Sequence, residues 1–318
     1  MNNKTIPVFF TIDNGYAPFL GVALSSAIKN SSKENNYKAI ILHEELSSEN
    51  MSKLKNLETD NFKVEFAPMK SGLESITDRM SNRLRCDYFT LTIYFRLFIA
   101  TMFPEYDKGI YIDSDVVVLG DLAELFNTDI GDNYIGACAD KSVVDVPPLA
   151  NYMENAVGVD KYTYINSGVL LMNLKLLREA ELDKHFLTLL NKYHFDCIAP
   201  DQDYLNAMCN GRIHYLSEVW DAMPTEDKPE VENVRLIHYN LFSKPWCYDG
   251  IQYGDYFWHY AEDTEFIDEI KAYKENYSDE QKESDSKCLG LLIERGEAIT
   301  KQDVTFKKVF ESGEKVRL

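Results

Sequence analysis

The sequence predicts an α/β protein in which a mostly parallel, mixed sheet is flanked by helices. Apolar runs of strand length alternate with helical patterns from the N terminus to about residue 260. This alternation is typical of crossover connections, which place helices on both faces of a parallel sheet. The 318 residues are 45% hydrophobic, which suits one large α/β domain with an appendage, or two small domains.

Hydrophobic periodicity and end signals assign the individual elements. Strands are predicted at residues 7–12, 37–42, 62–66, 109–119, 134–139, 168–172 and 234–238. Helices are predicted at residues 18–28, 48–57, 92–102, 174–193 in two pieces, and 201–209. Ser48 is the expected N-cap of the second helix, because serine favours that position. The segment 141–165 is interpreted as a loop that forms a lid or a wall of an acceptor site.

Four polar side chains come at the ends of predicted strands, namely Asp13, Asp113, Asp140 and His238. Ligands of open α/β sheets bind at the carboxyl ends of the strands. We therefore expect one crevice to collect these four side chains.

The most informative stretch is the apolar run 109–119, which Asp113 and Asp115 interrupt. Alternate side chains of a strand point to the same face, so the two carboxylates are expected about 7 Å apart. Burying two like charges together is costly, and a divalent cation between them would remove the cost and bind phosphate oxygens. A chance Asp-x-Asp triplet is the alternative, because such short motifs recur at random and a second triplet occurs at Asp201 and Asp203.

Composition and absent motifs exclude several functions. The net charge of −19 argues against nucleic acid as a partner, since phosphate binding needs clustered Lys and Arg. The six cysteines show no Cys-x-x-Cys spacing, so neither a zinc ribbon nor a redox pair is indicated. The glycine-rich dinucleotide motif, the P-loop, Gly-x-Ser-x-Gly and His-Glu-x-x-His are absent. A phosphate-handling enzyme with this sequence must therefore use a metal ion.

The apolar segments also bear on location. The sequence contains no hydrophobic signal region at its N terminus and no apolar stretch of about 18 residues. We therefore expect a cytoplasmic protein with reduced thiols and no transmembrane segment. The mixed charges of residues 275–318 give only weak support to peripheral membrane contact.

Six segments carry a resemblance to a known family. In chain order they are Phe-Thr-Ile-Asp-Asn-Gly-Tyr-Ala (10–17), Tyr-Phe-Arg-Leu (94–97), Tyr-Ile-Asp-Ser-Asp (111–115), Tyr-Ile-Asn-Ser-Gly-Val-Leu-Leu-Met-Asn (164–173), Pro-Asp-Gln-Asp-Tyr-Leu-Asn (200–206) and Ile-His-Tyr-Asn-Leu-Phe-Ser-Lys-Pro-Trp (237–246). Together they resemble family 8 of the glycosyltransferases, which includes bacterial lipopolysaccharide α-galactosyl- and α-glucosyltransferases, over roughly residues 6–260. The resemblance implies a GT-A fold, a UDP-sugar donor, Mn²⁺ as cofactor with Mg²⁺ as the alternative, and retention of anomeric configuration.

The resemblance also implies roles for individual residues. The metal ligands it implies are Asp113, Asp115 and His238. The nucleotide contacts are Asp13, Asn14 and Tyr16 for uridine and Lys244 for the diphosphate. The donor-sugar pocket comprises Arg96, Asp140, Asn166, Asp201 and Gln202, with Asp203 as a supporting residue. Gln202 is placed near the anomeric carbon, and Asp201 is the alternative nucleophile.

Two physical expectations accompany these matches. A buried Arg96 needs an acidic partner, so we expect it to meet one of the pocket carboxylates. Asn240 and Leu241 stand where the family often has a small pair such as Cys-Gly. Leucine lacks the backbone freedom of glycine, so the diphosphate loop is expected to differ here.

The sequence therefore predicts a catalytic domain at 1–260 and a helical C-terminal extension at 261–318, either packed or partly disordered. The expected activity is transfer of glucose or galactose from a UDP-sugar to an unidentified glycan or glycolipid, as in lipopolysaccharide biosynthesis. Two alternatives stay open. One is a metal-dependent nucleotide-sugar hydrolase or nucleotidyltransferase that uses the same aspartates, and the other is a non-catalytic carbohydrate-binding protein.

Overall fold

The computed structural model describes residues 5–69, 91–225 and 228–318. Its strands are β1 (Ile6–Ile12), β2 (Tyr37–His43), β3 (Phe62–Pro68), β4 (Gly109–Ile112), β5 (Val116–Val118), β6 (Ile135–Ala139), β7 (Ile165–Met172), β8 (Ile213–Tyr215) and β9 (Leu236–His238). Its α-helices are α1 (Ala17–Asn30), α2 (Ser48–Lys55), α3 (Ile99–Met102), α4 (Leu122–Phe126), α5 (Pro147–Tyr152), α6 (Leu174–Glu179), α7 (Leu182–Tyr193), α8 (Pro200–Met208), α9 (Gly254–Ala261), α10 (Ile267–Glu275), α11 (Asp279–Ile299) and α12 (Phe306–Glu311). Short 3₁₀ helices cover Asn14–Tyr16, Thr92–Leu97 and Glu218–Trp220, and Met153–Val157 is a π-helix.

Seven strands form the central sheet in the order β3-β2-β1-β4-β7-β6-β8. Neighbouring strands are parallel except where β7 lies antiparallel to both β4 and β6. The sheet is therefore mixed but mostly parallel, and helices flank it, which confirms the predicted α/β class. A second sheet pairs β5 with β9, and the hydrophobic pattern did not indicate this pairing.

The apolar run 109–119 is the main correction to the predicted elements. It forms two strands rather than one, because β5 leaves the central sheet and pairs antiparallel with β9, with Val116 opposite His238. Asp113 and Asp115 lie in the break between β4 and β5 instead of along one face of a strand. The backbone N–H of Tyr239 donates to the carbonyl oxygen of Asp115 at 2.9 Å, so the pairing holds Asp115 beside the end of β9.

Three smaller predictions also need correction. Residues 92–102 form a 3₁₀ helix followed by the one-turn α3 instead of a single helix, and residues 141–165 contain α5 and the π-helix instead of only a loop. The N-cap of α2 is Ser47 rather than Ser48, since the Ser47 hydroxyl accepts from the backbone N–H of Asn50 at 3.1 Å. The other predicted strands and helices are present with shifted ends.

The central sheet separates two apolar cores. Successive residues of β1 face opposite sides, as the two-residue period of a strand requires. Phe9 therefore lies in one core, while Val8 and Phe10 lie in the other. Helices α5 to α8 contribute to the first core, and α1, α9 and α10 contribute to the second. Burial of these apolar side chains is the main favourable contribution to folding.

Residues 261–318 contribute to the same two cores. Phe266 and Ile270 belong to the second core, whereas Leu292 and Phe306 belong to the first. The backbone N–H of Leu318 donates to the carbonyl oxygen of Met208 at 3.0 Å, which fastens the end of the chain to α8. Among the described residues, none of the helices combines the length and the apolar character that crossing a bilayer requires.

Asn206 fastens α8 to β7. It is fully buried, and its side-chain oxygen accepts from the backbone N–H of Ile165 at 2.8 Å. Its amide nitrogen donates to the carbonyl oxygens of Ile165 at 2.9 Å and Gln202 at 3.0 Å. These bonds hold α8, which carries Asp201 and Gln202, against the strand that carries Asn166.

We predict that Asn206→Ala lowers the free energy of unfolding by about 2–4 kcal/mol, because it leaves buried backbone groups of Ile165 without partners. Denaturant unfolding followed by circular dichroism measures the change. Asn127→Ala, at an exposed position after α4, is the matched control and should change the value by less than about 0.5 kcal/mol. Equal stability of the two variants would refute the fastening role.

Candidate functional site

A cavity of about 200 Å³ lies where β1, β4 and β9 end. Every predicted site residue except Asn14 and the supporting Asp203 lines it. The predicted residues in its lining are Asp13, Tyr16, Arg96, Asp113, Asp115, Asp140, Asn166, Asp201, Gln202, His238 and Lys244. The fold thus brings together side chains from distant parts of the sequence, and the four strand-end residues share one crevice as expected.

The turn after β1 forms one part of the cavity wall. Oδ1 of Asp13 accepts from the backbone N–H of Tyr16 at 3.1 Å and caps the short 3₁₀ helix there. Asn14 does not line the cavity, in contrast to its predicted role. Its side-chain oxygen accepts from the backbone N–H of Ser47 at 2.8 Å and from the amide of Asn50 at 3.1 Å. Asn14 therefore holds the start of α2 against the turn.

Asp113, Asp115 and His238 form a candidate metal centre. One ligand atom of each residue lies within 4.8 Å of the other two. Nε2 of His238 is 3.3 Å from Oδ1 of Asp115 and 3.9 Å from Oδ2 of Asp113. Oδ1 of Asp115 is buried without a hydrogen-bond partner among the described residues. Because such an oxygen is costly to bury, these residues fit a divalent cation, and two carboxylates with an imidazole suit Mn²⁺.

Asp221 orients the imidazole of His238. Both side chains are buried, and Oδ1 of Asp221 lies 2.9 Å from Nδ1 of His238. A proton on Nδ1 leaves Nε2 free to face Asp113 and Asp115, an arrangement known from histidine ligands of metals. Burial alone would lower the pKa of His238, but Asp115 and Asp221 raise it to about 10. A metal ion therefore competes with a proton for this nitrogen.

Gly168 of β7 makes room for the two ligands that lie against it. The backbone N–H of Asp113 donates to the carbonyl oxygen of Gly168 at 2.8 Å. A β-carbon at Gly168 would lie 2.2 Å from Cε1 of His238 and 2.9 Å from Oδ2 of Asp113. Glycine alone lets the strand approach both ligands this closely.

Lys244 places a positive charge beside the candidate metal centre. Its ammonium group donates to Oδ2 of Asp115 and to the carbonyl oxygen of Tyr239. Burial opposes ionisation of Asp115, but Lys244 and His238 hold the pKa of its carboxyl well below its usual range. Asp115 is therefore a carboxylate near neutral pH, with one oxygen bound to Lys244 and the other turned toward His238.

Arg96 joins the metal centre to the predicted sugar pocket. Its buried guanidinium forms ion pairs with Asp113 at 2.8 Å and Asp201 at 3.1 Å. It also donates to the carbonyl oxygen of Ser167 at 2.6 Å and lies over the ring of Tyr111, 4.3 Å from its centroid. Burial alone would lower the pKa of Arg96, but Asp113 and Asp201 raise it above its usual value. The expected acidic partner of Arg96 is thus present twice.

Gln202 is fixed at both ends of its amide. Oε1 accepts from the backbone N–H of Ser167 at 3.0 Å, and Nε2 donates to Oδ2 of Asp140 at 3.0 Å. The same oxygen of Asp140 accepts from the amide of Asn166 at 3.2 Å. This network presents amide and carboxylate groups in a fixed geometry, and sugar hydroxyls bind to such groups.

Asp203 lies beneath the cavity and is not part of its lining. It is fully buried, and burial raises its pKa to about 6. It accepts from two tyrosine hydroxyls and two backbone N–H groups at 2.6–3.2 Å, those of Tyr152, Tyr164, Ile198 and Ala199. Asp203 therefore supports the start of α8, from which Asp201 and Gln202 reach the cavity.

Leu241 adopts a backbone conformation that glycine favours. Its φ is 48°, and it lines the cavity. The smaller backbone freedom of leucine therefore does not keep Leu241 out of this conformation, and the expected difference in the diphosphate loop stays a prediction. The left-handed conformation costs roughly 1–2 kcal/mol for an L-residue. The surrounding fold imposes this strain at the wall of the site, where such strain is often found.

Three residues that hold the site were not singled out from the sequence. The hydroxyl of Ser167 donates to Asp201 at 2.9 Å, and that of Tyr111 donates to Asp113 at 2.5 Å. Both residues lie within the motifs of the resemblance, so their adjacency to matched residues was an available signal. The third is Asp221, which lies in a segment without a recognisable motif and is revealed by its contact with His238.

Comparison with known proteins gives matches over most of the chain. A family model described as Glycosyl transferase family 8 matches residues 7–250. A protein of Haemophilus influenzae named a putative glycosyltransferase is 30% identical over 247 residues, which cover 77% of this chain and 72% of that protein. A lipopolysaccharide 1,2-glucosyltransferase of Escherichia coli K12 is 26% identical over 275 residues, which cover 79% and 77% of the two chains.

Two solved structures extend the comparison to the fold. The galactosyltransferase LgtC, in complex with donor and acceptor sugar analogues, matches with a TM-score of 0.70 and 26% identity, over 82% of this chain and 96% of that chain. The bifunctional glycosyltransferase WbbM matches with a TM-score of 0.73 and 23% identity, over 86% of this chain and 52% of that chain. This chain thus spans about half of WbbM. The likeness to LgtC confirms the predicted GT-A fold.

We predict that Gly168→Ala lowers the free energy of unfolding by about 1–3 kcal/mol, because the added methyl group overlaps the imidazole of His238 and forces it to move. Denaturant unfolding measures the loss, and the histidine signals in NMR spectra report the displacement. Gly290→Ala is the control, since no atom lies within 4 Å of a β-carbon there. Unchanged stability and unchanged His238 signals in Gly168→Ala would contradict the close approach.

Proposed function

Because the chain belongs to glycosyltransferase family 8, we propose that it transfers glucose or galactose from a UDP-sugar to a saccharide acceptor with retention of anomeric configuration. One observation carries the proposal. The Asp113–Asp115–His238 cluster shares a cavity with the hydrogen-bonded network around Gln202. A centre suited to a cation and a diphosphate therefore adjoins a pocket suited to sugar hydroxyls.

The leaving nucleotide binds along the charged side of the cavity. When bound, Mn²⁺, or Mg²⁺ in its place, supplies positive charge that stabilises the departing diphosphate. Lys244 adds a second positive charge on the same side, beside Asp115. Tyr16 stacks on the uracil ring, and Asp13 accepts from its N–H. Asn14 contributes by holding the turn, since its side chain bonds to α2.

The donor hexose binds among Arg96, Asp140, Asn166, Asp201 and Gln202. Asp140 and Gln202 are bonded to each other, so their remaining donors and acceptors have fixed directions. A fixed network binds one sugar orientation and holds the anomeric carbon toward the acceptor side. Burial raises the pKa of Asp201, and Arg96 opposes this rise and holds the carboxyl group in place through their ion pair.

The geometry favours same-face attack over a covalent intermediate. The amide oxygen of Gln202 is a poor nucleophile and already accepts from the N–H of Ser167. The carboxylate of Asp201 is bound by Arg96 and by the hydroxyl of Ser167. In the proposed step the acceptor hydroxyl attacks the anomeric carbon on the face that the diphosphate leaves. The C1–O bond to the diphosphate breaks, and a leaving phosphate oxygen takes the hydroxyl proton.

The relatives also bear on the class of acceptor. The E. coli relative is named for lipopolysaccharide, which supports a glycan or glycolipid acceptor and a role in lipopolysaccharide-type synthesis. A cytoplasmic location, peripheral membrane contact and the division at residue 260 stay predictions.

We predict that Asp115→Asn lowers Mn²⁺-dependent release of UDP from UDP-glucose and UDP-galactose by about 100–1,000-fold, because one anionic metal ligand is lost. Asp303→Asn, at an exposed position, should retain full turnover. Calorimetric titration with MnCl₂ measures metal binding directly, and circular dichroism checks that both variants fold. Activity of Asp115→Asn equal to that of Asp303→Asn would exclude this metal centre.

Acceptor dependence separates the proposed activity from its alternatives. A transferase releases UDP faster when a saccharide acceptor is added. A nucleotide-sugar hydrolase shows no such increase, a nucleotidyltransferase releases no UDP, and a non-catalytic protein binds the sugar without turnover.

A second prediction concerns the nucleophile. Gln202→Ala should lower kcat by about 10–100-fold, as expected for loss of a positioning group. Loss of an essential nucleophile would instead lower kcat by about 10⁴-fold or more. Initial rates of UDP release with saturating donor distinguish the two outcomes. The larger loss would identify Gln202 as a nucleophile and would refute the proposed same-face attack.

A further inference from the structure

Helix α11 crosses from one side of the cavity to the other. Near its start, Oδ2 of Asp285 accepts from the hydroxyl of Tyr248 at 2.7 Å. The backbone N–H of Tyr248 donates to the carbonyl oxygen of Lys244 at 3.0 Å, so Tyr248 lies one turn after Lys244. Near its end, Gly296 packs on α5, where a β-carbon would lie 3.2 Å from Leu149. A helix rises about 16 Å over the eleven steps from Asp285 to Gly296. Helix α11 therefore connects the Lys244 side of the cavity to the α5 side.

Leu292 is the residue of α11 that lines the cavity. The apolar residues of the lining that belong to, or pack against, the same core include four that we call the apolar wall: Val143, Met153, Ile198 and Leu292. Val143 and Met153 come from the segment 141–165, for which the sequence predicts a lid or an acceptor wall. The wall offers neither charge nor hydrogen bonds to a phosphate or a sugar hydroxyl.

The apolar wall is continuous with the donor-sugar pocket. Ile198 lies two residues before the start of α8, and its backbone N–H donates to Asp203 at 3.2 Å. Asp201 and Gln202 follow on the first turn of α8. The donor occupies the charged and polar sides of the cavity in the proposed function. The wall therefore remains for the second substrate, next to the anomeric carbon.

We propose that the apolar wall is the acceptor subsite and selects a saccharide that carries an alkyl or aryl group beside the accepting sugar. This inference rests on the proposed function. Leu289 supports it, because this side chain lies one turn before Leu292 and is 40% exposed. The two leucines form an apolar strip from the cavity to the surface, along which the apolar group of the acceptor leaves the site.

Calorimetry with octyl and methyl glycosides tests the proposal. The β-glucosides and β-galactosides are titrated, below the concentration at which they form micelles, into protein with saturating UDP and MnCl₂. The octyl glycosides should bind at least about tenfold more tightly than the methyl glycosides, since burial of two additional methylene groups suffices for this. Equal affinities, or no binding by any of the four, would overturn the proposal.

Variants of α11 localise the effect. Leu289→Ser should reduce the octyl preference about threefold, and Leu292→Ser should abolish it. Leu291→Ser is the matched control, because this side chain is 52% exposed and points about 100° away from Leu292 around the helix. A preference that survives in both Leu289→Ser and Leu292→Ser, or that Leu291→Ser removes equally, contradicts the assignment.

Two features of the design keep the outcomes separate. Leu292 is 4% exposed and Leu289 is on the surface, so Leu289→Ser tests the strip without a large change in the free energy of unfolding. The titrations use UDP and not a UDP-sugar, so they do not depend on turnover. Absence of UDP release from UDP-glucose and UDP-galactose would refute the proposed function, whereas equal binding of octyl and methyl glycosides by the unsubstituted protein would refute the apolar subsite alone.

Discussion

Negative charge held away from water is the constraint on which the site depends. Asp113, Asp115 and Asp201 converge at the cavity, and Asp221 lies behind His238. Two described cations pair with the three cavity aspartates, and each cation connects separate elements of the fold. Arg96 links its 3₁₀ helix to the ends of β4 and α8, and Lys244 links the loop after β9 to the start of β5. Four carboxylates exceed these two permanent cations, so the arrangement favours a further positive charge.

Hydrophobic periodicity predicted the central sheet well because β1, β2 and β7 are buried along almost their whole length and β3 alternates between buried and exposed residues in its first half. It could not predict that β5 would leave this sheet, since an apolar run does not specify which strand it pairs with. The pairing with β9 depends on a contact between Val116 and His238 that lies outside any local window. Residues 141–165 were predicted as a loop for a related reason, because α5 and the π-helix are short and are stabilised by packing against distant helices, α5 against α11 and the π-helix against α12.

Motifs predicted the chemistry of the cavity more completely than its construction. Most matched side chains line it, because residue types and their order in the motifs can be recognised without knowledge of the fold. Gly168 and Asp221 contact His238 although both are far from it in the sequence. Leu292 lines the cavity from a helix that lies outside the matched motifs. Asn14 is the opposite case. It lies inside a motif, but its side chain accepts from the backbone N–H of Ser47 and does not line the cavity.

The pairing of β5 with β9 also bears on when the candidate metal centre forms during synthesis. Lys244 and Asp115 are 129 positions apart, and His238 lies in the same late segment. A nascent chain that ends before β9 lacks the imidazole and the lysine and leaves Asp115 without either partner. The cation site therefore cannot nucleate folding, and its occupancy would be a signature of a fully assembled molecule.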